Sequence, residues 1–197
     1  LLSIIAISFA EIKILYFLTV FINFFVIDEI LKIIKKIFKK NKIHQLISFI
    51  FSISYMFFFS LIIILFLNQS FEINKVKVLF LLFICISTDI GGYVFGKIIG
   101  GKKLTKISPN KTYSGLIGSY VLSTLVFFYF YHQFKFSYSL LIFTYFISLV
   151  SQIGDLFISY LKRKAKVKNT GNLLPGHGGI LDRIDGMIFA IPFGINL

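Results

Sequence analysis

Residues 46–67 read LISFIFSISYMFFFSLIIILFL, an uninterrupted apolar run without a single charged side chain. That is close to the length an α-helix needs to cross about 30 Å of hydrocarbon. Similar runs recur outward from it, near 12–28, 76–99, 114–131 and 138–160 and from 186 to the end of the chain, where the last is cut short. The blocks are continuous rather than alternating, so they predict an all-α, polytopic helical membrane protein with about six transmembrane helices. Once they are assigned, little sequence is left from which to build a separate soluble core, and one integral-membrane domain covers 1–197.

Composition agrees with this. Of 197 residues, 57% are hydrophobic and 15% charged. The formal net charge of +13 would ordinarily suggest nucleic acid, but the basic residues sit in short clusters at the ends of apolar segments, so membrane topology explains them and no nucleic-acid partner is expected. Alternate threading puts 32–42, 97–111 and 162–183 on one side, carrying 17 of the 21 Lys and Arg. The excess of positive charge identifies that side as cytoplasmic. Residues 30–42 interleave six lysines with Ile and Phe at helical spacing and predict an amphipathic helix lying in the interface. Cys85 is the only cysteine, which excludes an intramolecular disulfide and a cysteine metal site. The chain opens at Leu1 rather than Met and stops inside an apolar run, so both ends read as trimmed.

The acidic residues are few: Glu11, Asp28, Glu29, Glu72, Asp89, Asp155, Asp182 and Asp185. The first four fall near helix ends or loops, where a solvated carboxylate is the expected state. Asp89 lies well inside a span, where a carboxylate costs on the order of 3 kcal/mol unless paired or wet, so a polar cavity is expected around it. Gly92 and Gly96 in the same span form a small-residue pair suited to helix packing. Asp155 stands near the cytoplasmic end of its span, and Asp182 and Asp185 follow Gly178-Gly179 at a spacing that shares one helix face. Hard oxygen ligands gathered at one membrane boundary favour Mg²⁺ over zinc.

The stretch Ser159–Asp185, SYLKRKAKVKNTGNLLPGHGGILDRID, joins these carboxylates to a basic strip. Lys162, Arg163, Lys164, Lys166 and Lys168 precede a Gly-rich turn whose N–H groups suit phosphate, and a helix beginning near Ile180 would add its positive end. His177, between glycines beside this basic strip, is read as a functional rather than a structural histidine. A second basic loop, 100–115, reads GGKKLTKISPNKTYSG and brings Ser108 and Lys111. Gly96–Lys102 imitates the start of a P-loop, but Lys103 follows where Ser or Thr is needed and no strand leads in.

The run from Ser159 through Lys162-Arg163, Lys168, Gly171, Leu174-Pro175 and His177-Gly178-Gly179 to Asp182-Arg183-Ile184-Asp185 resembles the signature of the phosphatidate cytidylyltransferases, the CDP-diacylglycerol synthases. Ser108-Pro109-Asn110-Lys111-Thr112 with Gly115, and Gln152-Ile153-Gly154-Asp155, also look like motifs of that family. Two positions depart from its pattern: Asn169 stands where the family usually has Asp, and Ser114 where it usually has Glu. The resemblance implies transfer of a cytidylyl group from CTP to phosphatidate at the cytoplasmic face of a bacterial inner membrane. The cofactors it implies are Mg²⁺ and a monovalent cation such as K⁺. It makes 1–75 a set of N-terminal spans and 76–197 the catalytic part. Asp155 and Asp182 would hold the metal, with Asp185 or Asp89 as further ligands. Lys168 and His177 would act with them in catalysis, while Lys162, Arg163, Arg183, Ser108, Lys111, Gly178 and Gly179 would bind substrate. A homodimer through small-residue faces is a further expectation. Two rival readings stand beside this one. A CTP-dependent lipid kinase, or a transferase for another lipid, would share the chemistry of the site; a transporter would account for Asp89 in mid-span.

Overall fold

The computed structural model describes residues 11–173 and 178–195. Six α-helices follow one another among them: α1 (Ile12–Ile37), α2 (Lys42–Gln69), α3 (Phe71–Ile98), α4 (Tyr113–Phe134), α5 (Leu140–Lys164) and α6 (Leu181–Gly194). No strand occurs among the described residues, only an isolated antiparallel bridge between Lys103 and Thr112. Five helices, α1 to α5, are long and apolar enough to cross a membrane. Many of their large apolar side chains point outward, Phe24, Phe51 and Ile142 among them, as suits a chain whose solvent is lipid rather than water. The sixth helix has 14 residues and begins at Leu181, five positions before the span expected from Gly186.

The helix ends follow from local chemistry. The Asn41 side chain accepts from the His44 amide at 3.1 Å to open α2, and the Thr112 hydroxyl accepts from the Gly115 amide at 3.1 Å to open α4, each satisfying an amide that the first turn leaves free. Helix α5 closes with Lys166 in the left-handed region at φ 56°. The Val167 amide donates to the Lys162 carbonyl and the Lys166 amide to that of Arg163, both at 3.0 Å. This paired reverse turn ends the helix and directs the chain into the signature loop.

Two expectations for the N-terminal part are corrected. Residues 30–42 do not form a separate interfacial helix. With no Gly or Pro after Ile27 to break it, α1 runs on to Ile37, and Asp28 and Lys32 pair one turn apart at 2.5 Å on its exposed side. Glu29 is not solvated either; it is 1% exposed.

The chain divides into two compact units. One contains the residues up to Asn74 together with Ile158–Asp185, and the other Lys75–Phe157 with the residues from Gly186 onward. In the first, α1 packs on α2, where buried Asn23 donates to the Met56 carbonyl and to the Ser60 hydroxyl. In the second, α3 and α4 meet through small residues. A Cβ on Gly91 would strike the Gly118 carbonyl, and one on Gly92 would crowd the Ser119 hydroxyl. The Ser119 hydroxyl in turn donates to the Thr88 carbonyl at 2.7 Å. Gly92 and Gly96 thus serve close helix approach, as their spacing predicts.

Candidate active site

The signature stretch builds a cluster around the start of α6. Asp182, in its first turn, uses both carboxylate oxygens. Oδ1 accepts from the Lys162 ammonium at 2.7 Å, across side chains that are only 11% and 14% exposed. Oδ2 accepts from the Thr170 amide at 2.8 Å and the Gly179 amide at 3.0 Å, and lies 3.0 Å from the Thr170 hydroxyl, whose single proton it shares with Glu29. Burial pushes the Asp182 carboxyl up. The hydrogen bonds from Lys162, Thr170 and Gly179, with the Lys162 charge, outweigh it and hold the group below the usual carboxylate range.

Glu29 meets the same segment from α1. Its Oε1 accepts from the Ile180 amide at 2.9 Å, and its Oε2 from the Leu181 amide at 2.9 Å and the Thr170 hydroxyl at 2.7 Å. The first amides of α6, offered by sequence reading to a substrate phosphate, are therefore engaged by protein carboxylates. A negative group does sit at this positive helix end, as the dipole argument requires, but it is Glu29. Gly178 is in the left-handed region at φ 84°, and a Cβ on Gly179 would run into Thr170 and Glu29. Both glycines serve the tight folding of the backbone around the two carboxylates.

Of the other residues expected here, Arg163, Lys168 and Arg183 are exposed. Asp185 is 8% exposed. Asn169, one of the two departures from the signature, is exposed beside a glycine whose Cβ would touch it at 3.4 Å. His177 lies outside the described residues, as do Leu174, Pro175 and Gly176.

A second cluster belongs to the other unit. The Lys111 ammonium pairs with Asp155 Oδ2 at 2.5 Å and reaches the Gln152 carbonyl at 3.5 Å. Lys111 is placed by a small turn, in which its amide donates to the Ser108 carbonyl at 3.0 Å and its carbonyl accepts from the Leu104 amide at 2.7 Å. Ser108 thereby shapes the loop through its backbone, its own amide donating to the Thr105 hydroxyl at 3.2 Å. Ser114, the other departure, donates to the Gly100 carbonyl and closes the same loop. Asp89 lies within electrostatic range of both Asp155 and Lys111. Asp89 is exposed.

Among the described residues, no three His, Cys, Asp or Glu side chains gather as a metal site. The donor chemistry nonetheless discriminates between the clusters. Asp182 has every oxygen committed to protein donors, so a cation there would have to displace Lys162. Asp155 is paired with Lys111, and Asp89 is a second hard-oxygen donor within electrostatic range of both, a donor type that fits Mg²⁺ completed by phosphate oxygens.

The profile of the cytidylyltransferase family matches residues 1–197. The phosphatidate cytidylyltransferase of Bacillus subtilis (strain 168) is 42% identical over 129 residues, which cover 62% of this chain and 48% of that protein. That of Rickettsia bellii (strain RML369-C) is 43% identical over 132 residues, 60% of this chain and 57% of that one. That of Helicobacter pylori (strain ATCC 700392 / 26695) is 41% identical over 120 residues, 60% and 45%. The chain spans about half the length of the curated relatives it matches.

Proposed function

The chain belongs to the cytidylyltransferase family, and from that premise we propose that it acts as a CTP:phosphatidate cytidylyltransferase, producing CDP-diacylglycerol and pyrophosphate. One observation carries the reading at the site: the signature stretch holds a largely buried Lys162–Asp182 pair at 2.7 Å beside an exposed basic strip. In the reaction, a phosphate oxygen of phosphatidate attacks the α-phosphorus of CTP, a new P–O bond forms, and the bond to the leaving pyrophosphate breaks. Both reactants are anionic and no covalent enzyme intermediate is needed, so the protein's task is placement and charge neutralisation. Asp182 fixes the Lys162 ammonium, and Lys162 with Arg163, Lys168 and Arg183 receives phosphate oxygens. Asp89 and Asp155 are the residues that would hold Mg²⁺, which when bound would neutralise developing charge on the phosphates.

The lipid phosphate stays in the headgroup layer while its acyl chains stay in hydrocarbon, which requires an interfacial site. If α1 to α5 each cross the bilayer, the turns after α1, α3 and α5 share a side, and the segments 32–42, 97–111 and 162–183 carry 17 of the 21 Lys and Arg. That asymmetry supports a cytoplasmic face. The bacterial relatives support a place in the inner membrane. The test is to supply membranes carrying the protein with phosphatidate and with CTP labelled at either the α or the γ phosphate. Label should enter the lipid from the α position alone. Entry from γ alone would identify a lipid kinase, and no entry from either would overturn the proposal.

A further inference from the structure

Glu29 is the least exposed charged side chain among the described residues, and no step of the proposed reaction uses it. A carboxylate buried in this way is costly unless its oxygens are fully met, and an apolar residue would fill the same place on α1 at no such cost. What meets it is a set of donors 141 to 152 positions away in sequence, the Thr170 hydroxyl and the amides of Ile180 and Leu181. The backbone is also shaped to admit it, for a Cβ on either Gly171 or Gly179 would run into the Glu29 carboxylate.

The contacts form a continuous chain ending at a charge assigned to substrate. Glu29 and Asp182 both accept from Thr170 at one end of the loop and from backbone amides of residues 179–181 at the other. With Oδ2 of Asp182 fully engaged in that clamp, Oδ1 is left for the Lys162 ammonium. Loss of Glu29 would leave the α6 amides without their acceptor and Thr170 with one carboxylate in place of two. The direction in which Asp182 presents Oδ1 would then no longer be fixed.

We infer that Glu29 is a positioning residue for cytidylyl transfer: by tying Thr170 to the start of α6 it orients Asp182, and through Asp182 it sets where the Lys162 ammonium meets a substrate phosphate. The inference rests on the reading of Lys162 as a phosphate contact in that reaction. A residue that acts only through Lys162 has a kinetic signature that a structural prop lacks. Once Lys162 is gone, removing Glu29 should cost nothing more.

The experiment uses membranes carrying the full protein with Glu29→Gln, with Lys162→Met, and with both, and measures kcat and KM for CTP together with amide exchange across 178–182. Glu29→Gln should lower kcat/KM by about tenfold to a hundredfold, and the double variant should match Lys162→Met. If the two losses multiply instead, Glu29 is a structural prop and the inference is overturned. Exchange across 178–182 should quicken in Glu29→Gln and stay near wild type in Lys162→Met; unchanged exchange in Glu29→Gln also overturns it. Should Glu29→Gln fail to accumulate, Thr170→Val removes the shared hydroxyl at constant size and enters the same cycle with the same expectations. Absence of transfer by the wild-type protein is a different failure: the proposed reaction falls, and the positioning role falls with it. Transfer with multiplying losses removes the positioning role alone.

Discussion

Replacing Asp182 by Asn preserves the shape of the side chain and removes its charge, which makes it a clean probe of the signature cluster. In the native arrangement Oδ2 receives the Thr170 and Gly179 amides at 2.8 and 3.0 Å and Oδ1 receives Lys162 at 2.7 Å. An Asn has one acceptor and one donor. Turned one way, its NH₂ faces the Lys162 ammonium; turned the other, it faces the amides of Thr170 and Gly179. Either orientation sets donors against each other, in a place where the two side chains are 11% and 14% exposed. Losing a hydrogen bond to a charged group costs about 1.5–3 kcal/mol, and the opposed donors put the expected local loss near the top of that range, roughly a hundredfold in the population of the ordered arrangement. CTP-dependent labelling of lipid should therefore fall at least a hundredfold, with the amount of protein in the membrane little changed. Near-normal turnover at saturating Mg²⁺ would refute the reasoning. The pH dependence follows with a definite sign. Although burial pushes the Asp182 carboxyl up, its donors hold it below its ordinary value. The stability it contributes is thus present above the unfolded value of about 3.9 and lost as pH falls through the lower folded one. The stability gap between wild type and Asp182→Asn should stay constant from about pH 5.5 to 8 and close below about pH 4.

Lys111→Met removes the ammonium that pairs with Asp155 at 2.5 Å and that also acts on Asp89. The two carboxylates then attract a cation more strongly, so half-saturation by Mg²⁺ should move to a concentration up to about fivefold lower while kcat declines; an unchanged Mg²⁺ requirement would count against the metal assignment. Gly91→Ala places a methyl against the Gly118 carbonyl of the facing helix, where backbone must yield, and should cost about 1–3 kcal/mol by thermal unfolding in detergent. Gly96→Ala is tight only against the Thr112 hydroxyl, at 3.0 Å, with Gly115 at ordinary contact distance, and should cost less.

The spans and the signature were legible because each is a local pattern. Apolar blocks near the bilayer thickness declare helices without reference to partners, and Asp182 was marked by the Gly-Gly before it and the basic strip upstream. Glu29 was not legible from its immediate neighbours. Beside Asp28 and close to Lys32 it looks like one more solvated charge, and the donors that bury it come from the far end of the chain. A weak signal does exist: Glu29 lies on the same helical stripe as buried Val26 and Ile33, three residues after one and four before the other, whereas Asp28 falls on the exposed side. Hydropathy averaged over a window discards that phase. The same averaging split α1 into a span and an interfacial helix, because the lysines from Lys32 onward lower the mean although nothing interrupts the helix before Ile37.

The neighbouring carboxylates of α1 carry a mechanical consequence. A helix held in a bilayer by hydropathy alone can spin about its axis at little cost, since every orientation presents grease to grease. Successive residues project about 100° apart, so Asp28 and Glu29 cannot exchange places without turning the whole rod. With Glu29 seated among the amides of residues 180 and 181 and Asp28 on the exposed side, α1 is keyed like a shaft in a slot. A single residue inserted between Ile12 and Asp28 would leave the hydropathy profile intact. It would also turn one end of the helix relative to the other by more than a quarter revolution.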